Sequence, residues 1–447
     1  MGRTIPIEQV IFHRTIDPNG SLFWWNGEPY RAVRRHHQAF TLRLFQSGIV
    51  DDLVRRGLLV PTEVTDWALK GYSLVLRHKR VPFISLFNEW NASMFRDAAL
   101  AQLDLETVLE SHGLMLQDGH TDNTLFDGTQ PIFVDFCSIV PNIAARVWEA
   151  EDEYRRNFVN PLRLLSTGQS ELLRDTMRND RLGVPHHIAH PSTPPPLPPS
   201  VQTQWAIRAK TSARANLPES TFAWLKRQQR SVQRTVANRD SAAHVIRMNR
   251  LAAIREEVSR MTFPTTRSNA PGTAEQPSVS TETLRAVIDR LRPASVLDLD
   301  GTTSCARVVA QMGIATAMFA PSVPDSTQAY IAAISEGYPL LPVHIVSRQP
   351  DCEPAWIGDS GDLDDRYRAD LVLALCLHPP HSVDRQTQLL KRIQQFTNRW
   401  ILLTHEWIDE ALHACFSLRE SWDGMVLCER PSWTHRAANP TLGGNRG

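Results

Sequence analysis

Several hallmarks of specialised proteins are missing from this chain. Its 447 residues carry 48 Lys and Arg against 48 Asp and Glu, a formal net charge of zero, so a globally polybasic nucleic-acid-coating protein is excluded. No stretch approaches the roughly 18 apolar residues that a membrane-spanning helix needs. The first residues, MGRTIPIEQVIFHRTIDPNG, have no apolar core of the signal-peptide kind. The six cysteines, Cys137, Cys305, Cys352, Cys376, Cys415 and Cys428, form no C-x-x-C pair and are too dispersed for a disulfide framework or a zinc knuckle. Reduced thiols and a soluble, cytoplasmic chain are the expectation.

Proline is plentiful, with 30 residues, and it punctuates the chain. Residues 191–199, PSTPPPLPP, hold six prolines in nine positions, which removes backbone donors and favours an extended path over a packed core. A second polar, Pro-bearing stretch, FPTTRSNAPGTAEQPS, has linker composition. The expected organisation is a domain over 1–190, a Pro-rich linker over 191–200, a helical connector over 201–262, a linker over 263–278 and a domain over 279–447. Residues 201–260 hold twelve Lys or Arg against four Asp or Glu, so the zero total conceals a +8 connector and a −8 remainder. The connector reads as a helical hairpin packed on a neighbouring domain, with a solvated basic face. It carries no aromatic and glycine pattern of an RNA-binding module, which argues against nucleic acid as a partner.

The first block opens with GSLFWWNGEPYRAV, two short strands around Asn-Gly, a hairpin signature. Helices follow at DDLVRRGLL and from Ser93 to Glu110. The last block alternates helix and strand from TETLRAVIDRLR through SVLDLD, CARVVAQMG, ATAMFA, STQAYIAAISEG, PVHIVS, ADLVLALCL and RQTQLLKRIQQF to WILLTH. Regular alternation predicts a parallel, doubly wound α/β sheet with crossover helices.

Two constellations carry chemistry. LMLQDGHTDNTLFDGTQPIFVDF places Asp118 five residues before Asn123 and puts Asp135 just after the apolar strand PIFV. In phosphotransferases of the kinase type, one Asp takes the proton of the attacking hydroxyl, and an Asn and a strand-end Asp hold Mg²⁺ on the nucleotide phosphates. Asp118, Asn123 and Asp135 suit those roles, with Mg-ATP as cofactor and Asn123 and Asp135 as the metal ligands. No G-x-G-x-x-G loop and no V-A-I-K strand accompany them; the nearest strand cation is Arg31. The competing reading is that the three residues only fix loops by Asx-type hydrogen bonds.

The second constellation is the turn VLDLDGTTSC. An α/β domain that binds S-adenosylmethionine brings backbone close to the ligand at a glycine-rich turn after its first strand and offers an acid at the end of the second. Asp298, Asp300 and Gly301 are the candidate cofactor contacts, but Asp300 and Ser304 stand where glycines are expected. Ala320 or Ser322 stands at the place of the ribose acid. CLHPPH adds His378 and His381 near the end of a parallel strand.

The stretches HKRVPFISLFNEWNASMFRDAALAQLDL, LMLQDGHTDNTLFDGTQPIFVDFCSI, YRRNFVNPL and ADLVLALCLH, in this order along about 70–440, resemble a bacterial family of class I methyltransferases with a kinase-like N-terminal region. Within that family the chain resembles the rhizobial host-specific nodulation proteins. The resemblance implies a C-terminal Rossmann-like methyltransferase fold and an N-terminal α+β kinase-like domain. It also implies a role in making or modifying a lipo-chitooligosaccharide signal, so that the substrate is a small molecule or an oligosaccharide. Intact members read D-L-G-C-N-x-G where this chain has Asp298 to Ser304, and H-H-L where it has His378-Pro379-Pro380. The Asp, Asn and Asp of the kinase-like segment carry over onto Asp118, Asn123 and Asp135. Three functions follow: methyl transfer, phosphoryl transfer, or a catalytically degenerate scaffold that binds a protein partner.

Overall fold

The structure is a computed structural model. It describes the chain except residues 1–2, 14–16, 143–147, 180–181, 192–240, 265–279, 302, 346–355, 357–361, 381, 408–409, 423 and 432–447. The Pro-rich linker, most of the connector, the second linker and His381 lie outside the described residues. The chain divides into two compact units. The first comprises Met1–Arg80, Phe95–Thr124 and Pro131–Pro264, and the second Val81–Met94, Leu125–Gln130 and Thr265–Gly447.

In the first unit the strands β1 (Arg3–Thr4), β2 (Ile11–Phe12), β3 (Gly20–Trp25), β4 (Glu28–Val33), β5 (Thr62–Val64), β6 (Trp67–Ala68) and β7 (Leu74–His78) come first. A five-stranded antiparallel sheet has the order β2-β3-β4-β7-β5, and β1 pairs with β6. The expected hairpin is β3–β4. Its two-residue turn, Asn26-Gly27, has positive φ at both positions, the twist-matched geometry that Asn-Gly favours. The helix Ala92–Ser111 leads to β8 (Leu114–Leu116). The hairpin β9 (Thr124–Asp127) and β10 (Gln130–Phe133), whose residues Leu125–Gln130 count with the second unit, follows, and then β11 (Ile139–Pro141), which pairs back onto β8.

The one described helix of the basic connector, Ser241–Ser259, counts with this unit. Leu251, Ile254 and Val258, three to four residues apart, are buried along one stripe. Its arginines meet acids of the same unit: Arg247 lies 2.7 Å from Glu110, Arg250 lies 2.8 Å from Glu151, and Arg255 pairs with Asp104. These three arginines of the described helix are thus matched by acids while Arg250 and Arg255 stay half exposed.

The second unit is built on β12 (Ser295–Asp298), β13 (Ala315–Phe319), β14 (Leu340–Val343), β15 (Ala369–Ala374), β16 (Thr397–Thr404), β17 (Ser417–Trp422) and β18 (Met425–Glu429). Their order in the sheet is β14-β13-β12-β15-β16-β18-β17. The first five are parallel, as alternation predicts, and helices Thr303–Gln311, Val323–Glu336 and Val383–Phe396 cross between them. Beyond these five, β18 adds antiparallel beside β16 and pairs with β17. This hairpin follows the last alternating segment, where crossover helices stop. The third expected strand, PVHIVS, is displaced: β14 begins at Leu340 and ends at Val343.

Both faces of the sheet are covered. Val296, Leu371, Leu373, Leu402 and Leu427 pack with Leu284, Ile288 and Val309 of two helices. The alternate residues Leu297, Val372 and Ile401 point the other way and are also fully buried. A sheet buried on both faces reads as a continuous apolar run, which is why LVLAL and ILL were legible as strands. The segment Val81–Met94 is tied into this unit by a buried ion pair. Arg366 meets both Glu89 oxygens at 2.6 and 3.0 Å and also donates to the Ile84 carbonyl, and Tyr367 donates to Glu89 at 2.6 Å.

Candidate functional site

The chain order of the second sheet reverses between β12 and β15. Ligands of open α/β sheets bind in the crevice beyond the carboxyl ends of the strands at such a reversal. Asp298 ends β12, and Leu375 and Cys376 directly follow β15. The predicted turn therefore lies at the crevice.

Its three predicted residues play distinct parts. Asp298 is fully buried, and its Oδ1 accepts the Asp300 N–H at 2.9 Å, so its carboxylate folds the turn. Gly301 has φ +65°, and a Cβ there would strike the Phe319 carbonyl oxygen and come within 2.5 Å of Pro321 Cδ. Only glycine fits both demands. Asp300, read as a misplaced glycine, reaches across the crevice: its Oδ2 accepts the backbone N–H of Leu375 and, at 2.8 Å, that of Cys376. Oδ2 of Asp298 and Oδ1 of Asp300 are buried without a hydrogen-bond partner. Burial, and then Asp300, hold the Asp298 carboxyl well above the ordinary range. Burial pushes Asp300 up to about 7 against the amides of Cys376, Leu375 and Leu377, which favour its charge.

Ser304 is exposed in the first turn of the helix Thr303–Gln311. At the end of β13, Ser322 Oγ is committed to the next helix, where it accepts from Asp325 N and meets Asp325 Oδ2 at 2.5 Å. Neither Ala320 nor Ser322 supplies an acid for a ribose. His378 follows β15, with Nδ1 3.0 Å from Glu406 Oε2 on the turn that follows β16.

In the first unit the chain brings the other predicted set together through backbone. Asp118 N–H donates to Ser138 Oγ at 3.3 Å, and Ser138 N–H donates to the Asp135 carbonyl at 3.0 Å. Val134 N–H donates to the Asn123 carbonyl at 2.9 Å. The Asp118 carboxylate accepts from Gln117 at 3.0 Å. Asp135 is not open to solvent cations alone: Arg31 Nη1, on β4, lies 2.7 Å from its Oδ1 and 3.3 Å from Asp17. Burial opposes the Arg31 charge, but Asp135, Cys137 and Asp17 raise its pKa above the ordinary value. Asp17 escaped the sequence reading; the Asx turn at Asp17-Pro-Asn19, where Asn19 N–H donates to its Oδ1 at 2.9 Å, was the available signal. Among the described residues no group of three or more His, Cys, Asp or Glu is placed to hold a metal ion, and no helix is long and apolar enough to cross a membrane.

No family model matches the chain. Among solved structures, magnesium protoporphyrin IX methyltransferase (ChlM) from Synechocystis PCC 6803 with bound SAM is 13% identical, with 34% of this chain and 79% of that chain covered and a TM-score of 0.26. The Burkholderia thailandensis 1,6-didemethyltoxoflavin-N1-methyltransferase is 18% identical, with 36% and 79% covered and a TM-score of 0.26. In sequence the chain is similar to the nodulation protein NoeA of Rhizobium meliloti (strain 1021), with 23% identity over 387 residues, 80% of this chain and 76% of that protein.

Proposed function

We propose that the second unit binds S-adenosylmethionine beyond the carboxyl ends of β12 and β15 and transfers its methyl group to a small-molecule or oligosaccharide acceptor in nodulation signalling, with a lipo-chitooligosaccharide as the acceptor class. The observation that carries this reading is Gly301: a left-handed turn at the reversal of strand order, with backbone packed too closely for any side chain. When bound, the cofactor supplies an electrophilic methyl on a sulfonium. The chain supplies the Gly301 cradle, the fold of the turn through Asp298, and a base for the acceptor hydroxyl. We assign that base to His378, oriented by Glu406 at 3.0 Å. The other imidazole nitrogen of His378, Nε2, takes the proton of the acceptor hydroxyl. The similarity to a nodulation protein supports the biological setting.

Calorimetry of the full chain with S-adenosylhomocysteine tests the reading. Saturable binding that Gly301→Ala weakens at least tenfold is expected, and absence of heat at millimolar ligand sinks it. His378→Ala then lowers kcat with little change in ligand affinity.

A second reading concerns the first unit, which we propose is a kinase-derived scaffold rather than a phosphotransferase. The Arg31–Asp135 pair favours it, because the acid that would hold Mg²⁺ is already neutralised by a buried cation. No thermal shift with Mg-ATP is expected, and a shift that Asp135→Ala abolishes would restore phosphoryl transfer through Asp118, Asn123 and Asp135.

A further inference from the structure

Asp300 directly precedes Gly301, the left-handed residue of the turn. It follows β12, beside the crevice that opens between β12 and β15, and its carboxylate spans that gap to the N–H groups of Leu375 and Cys376. Those amides are the first backbone donors after β15, so they are the donors that the crevice offers to a ligand. In their place they hold a carboxylate of the chain itself.

The arrangement is poorly suited to a purely structural role. Oδ1 of Asp300 is buried without a hydrogen-bond partner, and the same is true of Oδ2 of Asp298 two residues before it. A buried acceptor left unpaired costs on the order of 1–3 kcal/mol, and two acids in one turn oppose each other's ionisation. The amides of Cys376, Leu375 and Leu377, and after them His378, favour the charge of Asp300, yet burial outweighs them and holds its carboxyl at about 7. Gly301, the next residue, retains the backbone freedom that the crevice needs. The turn thus keeps the geometry of a ligand cradle and fills its polar positions from within.

We propose that the Asp300 side chain is an internal occupant of the crevice, and that its displacement from the Leu375 and Cys376 amides sets the affinity with which this unit takes an adenosyl ligand. The inference rests on the cofactor reading above. A glycine at position 300 leaves both amides open to the ligand. An asparagine keeps the shape and an acceptor oxygen but removes the charge, so it holds the amides less strongly than the carboxylate.

The test is calorimetry of the full-length chain, as wild type, Asp300→Gly and Asp300→Asn, with S-adenosylhomocysteine as the probe, beside hydrogen exchange of the peptide containing Leu375 and Cys376. The expected result is at least tenfold tighter binding in Asp300→Gly, an intermediate gain in Asp300→Asn, and faster exchange of that peptide in both variants without ligand. Equal affinity in all three chains overturns the inference and leaves the cofactor reading standing. Absence of binding in all three overturns both. Unchanged exchange in two variants that melt like wild type overturns the inference whatever the affinities.

Discussion

The two units answer the same problem with opposite charges. In the first, a buried cation, Arg31, sits on the acids Asp135 and Asp17. In the second, a half-buried acid, Asp300, sits on neutral backbone amides. Removing the cation strands two desolvated carboxylates; removing the acid frees donors that a ligand can use. The first arrangement is bound into the stability of its fold, whereas the second weighs on its fold and is suited to exchange for something else. That difference is why the second crevice, and not the acid set of the first unit, carries the proposed activity.

The sharpest way to break the contrast is Arg31→Met. Loss of one partner from a buried ion pair costs about 3–5 kcal/mol, and urea denaturation followed by tryptophan fluorescence should show a loss of that size. A loss under about 1 kcal/mol would place Asp135 in water and reopen metal binding there. Next in size is Gly301→Ala, which forces a side chain into a left-handed position against Phe319 and Pro321 and should destabilise by about 1–3 kcal/mol in the same assay.

The two units should also titrate in opposite directions. His78 is held neutral, its pKa lowered to about 3 by burial and then by Arg31. Its Nδ1 meets the Thr62 hydroxyl at 2.8 Å, and that hydroxyl donates to the Val60 carbonyl, so the ring supplies the proton. The stability it contributes is present above the ordinary value of 6.5 and is lost as pH falls toward 3. Asp300 has a raised pKa, so its contribution is present below its ordinary value of 3.8 and is lost as pH rises through about 7. Urea midpoints across pH should show that His78→Gln flattens the acid-side decline and Asp300→Asn flattens part of the rise-side decline, the rest belonging to Asp298. The smallest effect is expected at the connector: Arg255→Ala, at a half-exposed pair with Asp104, should cost less than about 1 kcal/mol, and less still at high salt.

Much of the second unit was readable in advance because its pattern is local. Alternating apolar strands and amphipathic helices announce a parallel sheet, and the Asn26-Gly27 turn announces its hairpin in the first unit. Strand β17 was missed because SLRESW is exposed and carries no apolar run. The candidate acids were legible by spacing, yet their partners were not. Asp17 lies 118 residues from Asp135, and the amides that hold Asp300 lie 75 and 76 residues from it. Glu89 and Arg366, 277 residues apart, show the same limit.

The sequence by itself determined the α/β character of the second unit, the positions of Asp118, Asn123, Asp135, Asp298 and Gly301, and the unusual acid at position 300. Local propensity and residue spacing are enough for that. Only the tertiary structure decided that Asp300 is engaged across the crevice and that Asp135 is neutralised by Arg31. Hydrogen bonds and ion pairs between distant segments depend on how strands are ordered in a sheet, and no period or motif along the chain encodes that order.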